Sequence, residues 1–201
     1  MSGGDPDRDG LIAILQPDES GLDHIPKYDR YLGVANPTRD EFTAAWQRAV
    51  GPYAEMQRDH DRMFAADRFI CEDVLVNTLY AENQRVLAEL HEEAGDPASA
   101  TVMRARAAKT TASLLAQCYD QATGLFYDLA GLREDQLKVS TVTSLMPILL
   151  PALPREMGEA LVKHIADPTE YAAPYPVPST ALNEPLYLRP SDGRPELDFI
   201  R

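Results

Sequence analysis

Glu72-Asp73-Val74-Leu75-Val76-Asn77-Thr78-Leu79-Tyr80-Ala81-Glu82-Asn83-Gln84-Arg85-Val86-Leu87-Ala88-Glu89-Leu90-His91-Glu92-Glu93-Ala94-Gly95-Asp96-Pro97 reads as one long helix and the start of another. Leu75, Leu79, Val86, Leu87 and Leu90 recur at the spacing of a single helical face. Gly95 suits the left-handed residue that closes a helix, and Asp96-Pro97 supplies a cap and a proline at the first helical position of the next. That second helix carries Val102, Ala105, Leu114, Leu115 and Cys118. Helices joined by so short a connection lie antiparallel. The spacing therefore predicts an all-α fold made of helical hairpins, the unit of helical barrels and solenoids.

Working outward, Thr38 with Glu41 forms a capping box, and Phe42, Ala45, Trp46, Ala49 and Val50 follow at helical spacing. Gly51-Pro52 interrupts or kinks that helix. Thr123-Gly124, followed by Leu125-Phe126-Tyr127, predicts a tight loop or short β-hairpin. Val139 to Pro154, broken by three prolines, predicts a short helix between loops, and Glu156 to Ala166 one more helix. From Asp167 onward the chain holds seven of its sixteen prolines, so Tyr171 to Pro190 should be extended or turn-like. Leu11 to Leu15 reads as the end of a buried helix or a short strand. The Gly, Asp and Pro-rich residues 1–10 are expected to form a mobile leader, with residues 11–201 making the domain.

At 201 residues and 44% hydrophobic composition the chain can bury a core. A net charge of −13 disfavours nucleic acid and anionic membrane surfaces as partners. No run reaches the roughly 20 apolar residues of a membrane helix, and the first residues lack the pattern of a signal peptide. A cytoplasmic location is the expectation. Cys71 and Cys118 fall within helical apolar patterns and read as buried free thiols. His24, His60, His91 and His164 lack metal-ligand spacing, so no metal or other cofactor is expected, although a hard cation held by carboxylates leaves little trace in sequence.

The candidate site lies in Glu19-Ser20-Gly21-Leu22-Asp23-His24-Ile25-Pro26-Lys27-Tyr28-Asp29, directly after the apolar run that ends at Leu15. Polar density at such a point marks a backbone turning out of a core. Gly21 can take the positive φ that aims Asp23 into a cleft. Leu22 and Ile25 flank Asp23 and Glu19 lies four residues away, so apolar surroundings and a neighbouring carboxylate can both raise its pKa. Lys27 and Tyr28 can bind sugar hydroxyls or a carboxylate, with Asp29 orienting either. The same residue types also make an ordinary solvated turn.

The segment resembles HPWESGxDNSPxWD of glycoside hydrolases in the trehalase, processing α-glucosidase and mannosylglycerate or glucosylglycerate hydrolase group. Gly10-Leu11-Ile12-Ala13-Ile14, Tyr119-Asp120 through Phe126-Tyr127-Asp128, and Asp167-Pro168-Thr169-Glu170-Tyr171 through Pro176-Val177-Pro178-Ser179 to Pro185-Leu186-Tyr187 resemble further family segments in the same order. The resemblance implies part of an (α/α)6 barrel and an inverting hydrolase acting on an α-linked glucoside or mannoside. It makes Asp23 the general acid; from the residues themselves, Glu19, Lys27, Tyr28 and Asp29 are the candidate substrate-binding residues around it.

Two departures stand out. Gln16-Pro17-Asp18 replaces His-Pro-Trp, and His24 stands where the family often has Asn. The family's general base is a glutamate further along, after a YWRGPxW-like segment that Phe199-Ile200-Arg201 resembles only in its first residues, so no glutamate here is assigned as base. A slice of such a barrel should expose apolar faces and self-associate or pair with a complementary fragment. A small carbohydrate is the expected ligand. A non-catalytic carbohydrate- or protein-binding remnant is the alternative, and a wider kinship with epimerases and phosphorylases of the helical sugar barrels is a third reading.

Overall fold

The computed structural model describes residues 4–22, 25–35, 37–57 and 59–187. Among these residues, six α-helices and five two-residue strands follow one another as α1 (Pro26–Tyr31), α2 (Arg39–Val50), α3 (His60–Ala65), β1 (Cys71–Glu72), α4 (Val74–Glu93), α5 (Pro97–Ser113), β2 (Tyr119–Asp120), β3 (Leu125–Phe126), β4 (Leu129–Ala130), β5 (Asp135–Gln136) and α6 (Arg155–Ala166). The ends predicted from residue chemistry fall where expected. Thr38 accepts from the Glu41 amide while the Glu41 carboxylate accepts from the Thr38 amide at 2.8 Å, opening α2. Gly95, at φ 78°, closes α4, and the Asp96 carboxylate accepts from the Ser99 amide to cap α5.

Glu72 and Cys71 belong to β1 and not to a helix; α4 begins at Val74, capped by Asp73, whose Oδ1 accepts from the Val76 amide at 3.0 Å. The face that α4 buries also differs from the expectation. Val74, Asn77, Ala81 and Ala88 are buried, whereas Leu79, Val86, Leu87 and Leu90 are 44%, 41%, 41% and 55% exposed. At 100° per residue the two sets lie on opposite sides of the helix. Alanine permits the closer approach: α4 packs on α5 through small residues, including the fully buried Ala100, and also contacts the 3₁₀ helix Val142–Leu149. The leucine stripe is left facing outward. Each such side chain, about half exposed, forgoes part of the roughly 1.5–3 kcal/mol of full burial, so the stripe is a surface that another element would stabilise by covering.

The loop elements are short and antiparallel. β2 and β3 form the hairpin expected around Thr123-Gly124, and β1, β4 and β5 form a three-stranded sheet in the order β1-β4-β5, with Cys71 opposite Ala130 and Leu129 opposite Gln136. Pro52 lies in a 3₁₀ helix, Gly51–Met56, that continues α2. One apolar cluster gathers Leu114, Phe126, Leu161 and Tyr171, and another gathers Ile14, Tyr28, Phe69 and Ile70.

Leu11 to Leu15 runs extended and joins the edge of β1 through reciprocal Ile14 and Cys71 amide-to-carbonyl bonds of 2.8 and 3.0 Å. At Ile12 both backbone groups are held by one side chain. Asn77 accepts from the Ile12 amide at 2.6 Å and donates back to the Ile12 carbonyl at 2.9 Å, so it acts as a strand partner built into α4. Residues 4–10, for which a mobile leader is expected, run along α5: Lys109, Thr110 and Ser113 donate to the carbonyls of Arg8, Gly10 and Asp9, at 2.6, 2.6 and 2.7 Å.

Asn77→Ala removes both bonds and leaves the Ile12 amide and carbonyl without them, at a cost of about 2–4 kcal/mol. Urea unfolding of this variant beside Asn83→Ala, an exposed position on the same helix, should show a large drop for the first and little change for the second.

Candidate functional site

The candidate segment begins with a 3₁₀ turn, Pro17–Ser20, closed by Gly21 at φ 72°, ψ 9°. A non-glycine residue is strained in this left-handed conformation, so the glycine sets the direction in which the chain leaves the turn. Glu19 folds back to accept from the Leu15 amide at 2.9 Å, and Ser20 donates to the Pro17 carbonyl at 2.9 Å while accepting from the Leu22 amide at 3.2 Å. Asp23 and His24 lie outside the described residues. The chain resumes at Ile25, and Pro26 occupies the first position of α1, where its fixed φ suits the helix and its missing N–H costs nothing.

Lys27, Tyr28 and Asp29 turn into the protein: they are 1%, 0% and 0% exposed. Lys27 Nζ lies 2.5 Å from Asp73 Oδ2 and 2.8 Å from Asp128 Oδ2, and donates to Thr143 Oγ1 at 3.3 Å. The Tyr28 hydroxyl donates to the same Asp73 oxygen at 2.9 Å. The other oxygens of both aspartates are used as well: Asp128 Oδ1 accepts from the Val74 amide at 2.7 Å, and Asp73 Oδ1 from Val76. One ammonium thus binds two carboxylates at the N-terminus of α4, whose exposed amides and positive dipole end favour negative charge.

The electrostatics follow from burial and pairing. Burial alone would favour the neutral amine, but Asp128 and Asp73 outweigh it and hold Lys27 protonated. Burial, only partly offset by Lys27, pushes Asp128 up to about 6, while the same ammonium outweighs burial at Asp73 and holds that carboxyl below its ordinary range. Burial keeps the Tyr28 phenol and the Cys71 thiol protonated. Cys71, Asp73 and Asp128 offer ligand atoms within 4.8 Å of one another, but Lys27 already supplies the positive charge there. Cys71 and Cys118 are both buried and free.

The structure therefore brings Lys27 and Tyr28 together with two acids that sequence spacing did not single out as partners. Asp73 read as a helix start and Asp128 as the end of an aromatic loop. The available signal was an acid set in each apolar run, Phe69-Ile70-Cys71 before Asp73 and Leu125-Phe126-Tyr127 before Asp128. Beside the Pro17–Ser20 turn opens a cleft of about 230 Å³ whose lining includes Asp18, Arg39, Phe42, Trp46 and Gln47. An aromatic wall with amide and guanidinium donors is suited to a small polar ligand with hydroxyl or carboxylate groups.

Removing the cation leaves two carboxylates buried without it. Lys27→Met should lower the unfolding free energy by about 3–5 kcal/mol, whereas Lys163→Met, at an exposed position on α6, should stay near wild type in the same denaturant titration.

Residues 3–194 match the family model of the mannosylglycerate hydrolase MGH1-like glycoside hydrolase domain. The chain is 26% identical over 187 residues to the mannosylglycerate hydrolase of Rubrobacter radiotolerans, covering 82% of this chain and 42% of that protein. It is 25% identical over 187 residues to the glucosylglycerate hydrolase of Mycolicibacterium hassiacum, covering 79% of this chain and 40% of that one. The crystal structure of the GH63 mannosylglycerate hydrolase from Thermus thermophilus in complex with Tris superposes with a TM-score of 0.79 at 20% identity, over 92% of this chain and 48% of that one. This chain accordingly spans less than half the length of these relatives, and its mostly helical fold is similar to part of an (α/α)6-barrel-type enzyme, as expected from the sequence. With the family model extending over nearly its whole length, the chain belongs to the MGH1-like glycoside hydrolase family.

Proposed function

We propose that this chain carries the acid-bearing part of an inverting glycoside hydrolase that cleaves an α-glucosidic or α-mannosidic bond to a small anionic aglycone such as glycerate. The observation that carries the reading is the family match over residues 3–194, which includes Glu19-Ser20-Gly21-Leu22-Asp23. Two relatives named for mannosylglycerate and glucosylglycerate support the substrate class. In an inverting mechanism one carboxylic acid protonates the leaving oxygen while a carboxylate roughly 6.5–9.5 Å away activates water on the opposite face of the sugar. Asp23 takes the first role. The segment on either side of it is fixed, by the Glu19 and Gly21 turn before it and by the buried Lys27 and Tyr28 after it.

The base comes from residues not assigned in this chain. The cleft beside Asp18 offers a place for the aglycone: Arg39 can meet its carboxylate, and Trp46 can supply an aromatic wall close to where Asp18 replaces the family's tryptophan. The leucine stripe of α4 belongs to the same reading, because further helices of a barrel would bury it. The chain on its own should then self-associate or pair with a complementary segment through that face.

Two measurements test these points. Fused to the remaining half of the Rubrobacter enzyme, the chain should release sugar from mannosylglycerate or glucosylglycerate, and Asp23→Asn should lower kcat by about 10²–10⁴-fold; turnover within about threefold of wild type would refute the assignment. Light scattering should give a mass above the 22.3 kDa of one chain, falling to that value in the Leu87→Glu, Leu90→Glu double variant. A clean monomer for wild type with a sharp melting transition contradicts the role given to the stripe.

A further inference from the structure

A second group of acids lies away from the Lys27 cluster, where the first residues of the chain meet β1 and the turn between β4 and β5. Asp5, Asp7 and Asp9 bring carboxylate oxygens within 4.8 Å of one another, and Asp7 does the same with Glu72 and Glu134. Two oxygens on opposite sides of a calcium ion stand about 5 Å apart, twice the 2.3–2.6 Å bond length, so either set has the spread of one such ion's ligands, and Asp7 is common to both. Clustered acids alone are common. The distinguishing feature is Glu72, which is 3% exposed and whose Oε2 is buried with no hydrogen-bond partner among the described residues. A buried carboxylate oxygen without a donor is costly, and here it faces other carboxylates.

The local sequence fits the same chemistry. Asp5-Pro6-Asp7-Arg8-Asp9-Gly10 places acids at alternate positions, followed by a glycine at φ 110°. This is the order of the first six positions of a calcium loop, in which three side chains converge and a glycine makes the sharp turn. A Cβ at Gly10 would come within 2.9 Å of Lys109 Cγ and Ser113 Oγ, so the turn is also pressed against α5. The twelfth loop position, which usually supplies a bidentate glutamate, is Gln16. Glu72 from β1 and Glu134 from the β4–β5 turn provide the missing carboxylates instead. Lys109, 3.3 Å from Asp5, is an ion-pair partner for one acid of the five.

We propose that Asp5, Asp7, Asp9, Glu72 and Glu134 bind one calcium ion that ties the N-terminal segment to β1 and the β4–β5 turn. Six to eight oxygen ligands in loose geometry are what calcium accepts and what magnesium, confined to a tight octahedron, does not. Histidine and cysteine spacing, on which the expectation of no metal rested, is silent about a site made only of carboxylates. The site does not depend on the glycosidase reading. It lies one residue from Asp73, so it would brace the strand that leads into the Lys27 cluster.

The test is calorimetric titration of calcium chloride into the full chain after removal of divalent ions with a chelator, paired with melting curves. One calcium should bind per chain with a Kd between about 10⁻⁷ and 10⁻⁴ M, and the melting temperature should rise with calcium concentration. Asp7→Asn combined with Glu134→Gln changes only exposed or half-exposed side chains, so the variant should fold, keep the melting temperature of the metal-free wild type or exceed it, and bind calcium at least about tenfold more weakly. Absence of binding by wild type at millimolar calcium, or unchanged affinity in the double variant, overturns the proposal. Magnesium binding as tight as calcium overturns the assignment of the ion.

Discussion

The contact between Lys27 and the paired carboxylates of Asp73 and Asp128 is the constraint on which the rest of the site depends. It joins α1 to the first turn of α4 and to the residue that leads into β4, with Thr143 of the 3₁₀ helix as a fourth contributor. None of these segments is adjacent to another in sequence. Two buried carboxylates and one ammonium would be unfavourable as isolated charges, and the arrangement holds because each aspartate also accepts a backbone amide at the start of α4. The Tyr28 hydroxyl then adds a donor to Asp73.

The consequence for function is positional. α1 is only six residues long and has little stability of its own, so its placement comes from what it buries. Pro26, Lys27, Tyr28 and Asp29 are all buried, which pins the chain four residues after Asp23. On the other side Glu19 closes onto the Leu15 amide and Leu15 itself follows the extended run paired to β1. A segment flanked on both sides by buried anchors suits the acid role proposed for Asp23, because general-acid catalysis asks a scaffold to hold its acid in place.

Much of the helix framework was legible in the residues. The Thr38 and Glu41 capping box, the Gly95 to Pro97 connection and the Thr123-Gly124 turn are local chemistry, and each forms where that chemistry puts it. The buried face of α4 was not legible in the same way. Leucines and alanines recur on that helix with the same period, and the larger side chains mark a face without saying what covers it; the small face wins because α5 can approach it closely. Lys27 was misleading for a related reason. A lysine, a tyrosine and an aspartate beside a glycine read as polar groups turned toward a ligand, but the acids that Lys27 and Tyr28 meet lie in β-strand and helix junctions far along the chain, and only the fold brings them near. The alternating aspartates of residues 5–9 read as a polar leader until Glu72 and Glu134 are placed beside them.

Lys27 couples α1 to the start of α4, and hydrogen exchange resolved to single amides measures this coupling most directly. In Lys27→Met, the amides of Leu32 and Val34, which close α1, and those of Val74 and Val76, which are bonded to Asp128 and Asp73, should lose protection together, while amides in the middle of α5 keep theirs relative to the new global stability. Unchanged protection of α1, or loss confined to Val74 and Val76, would contradict the coupling.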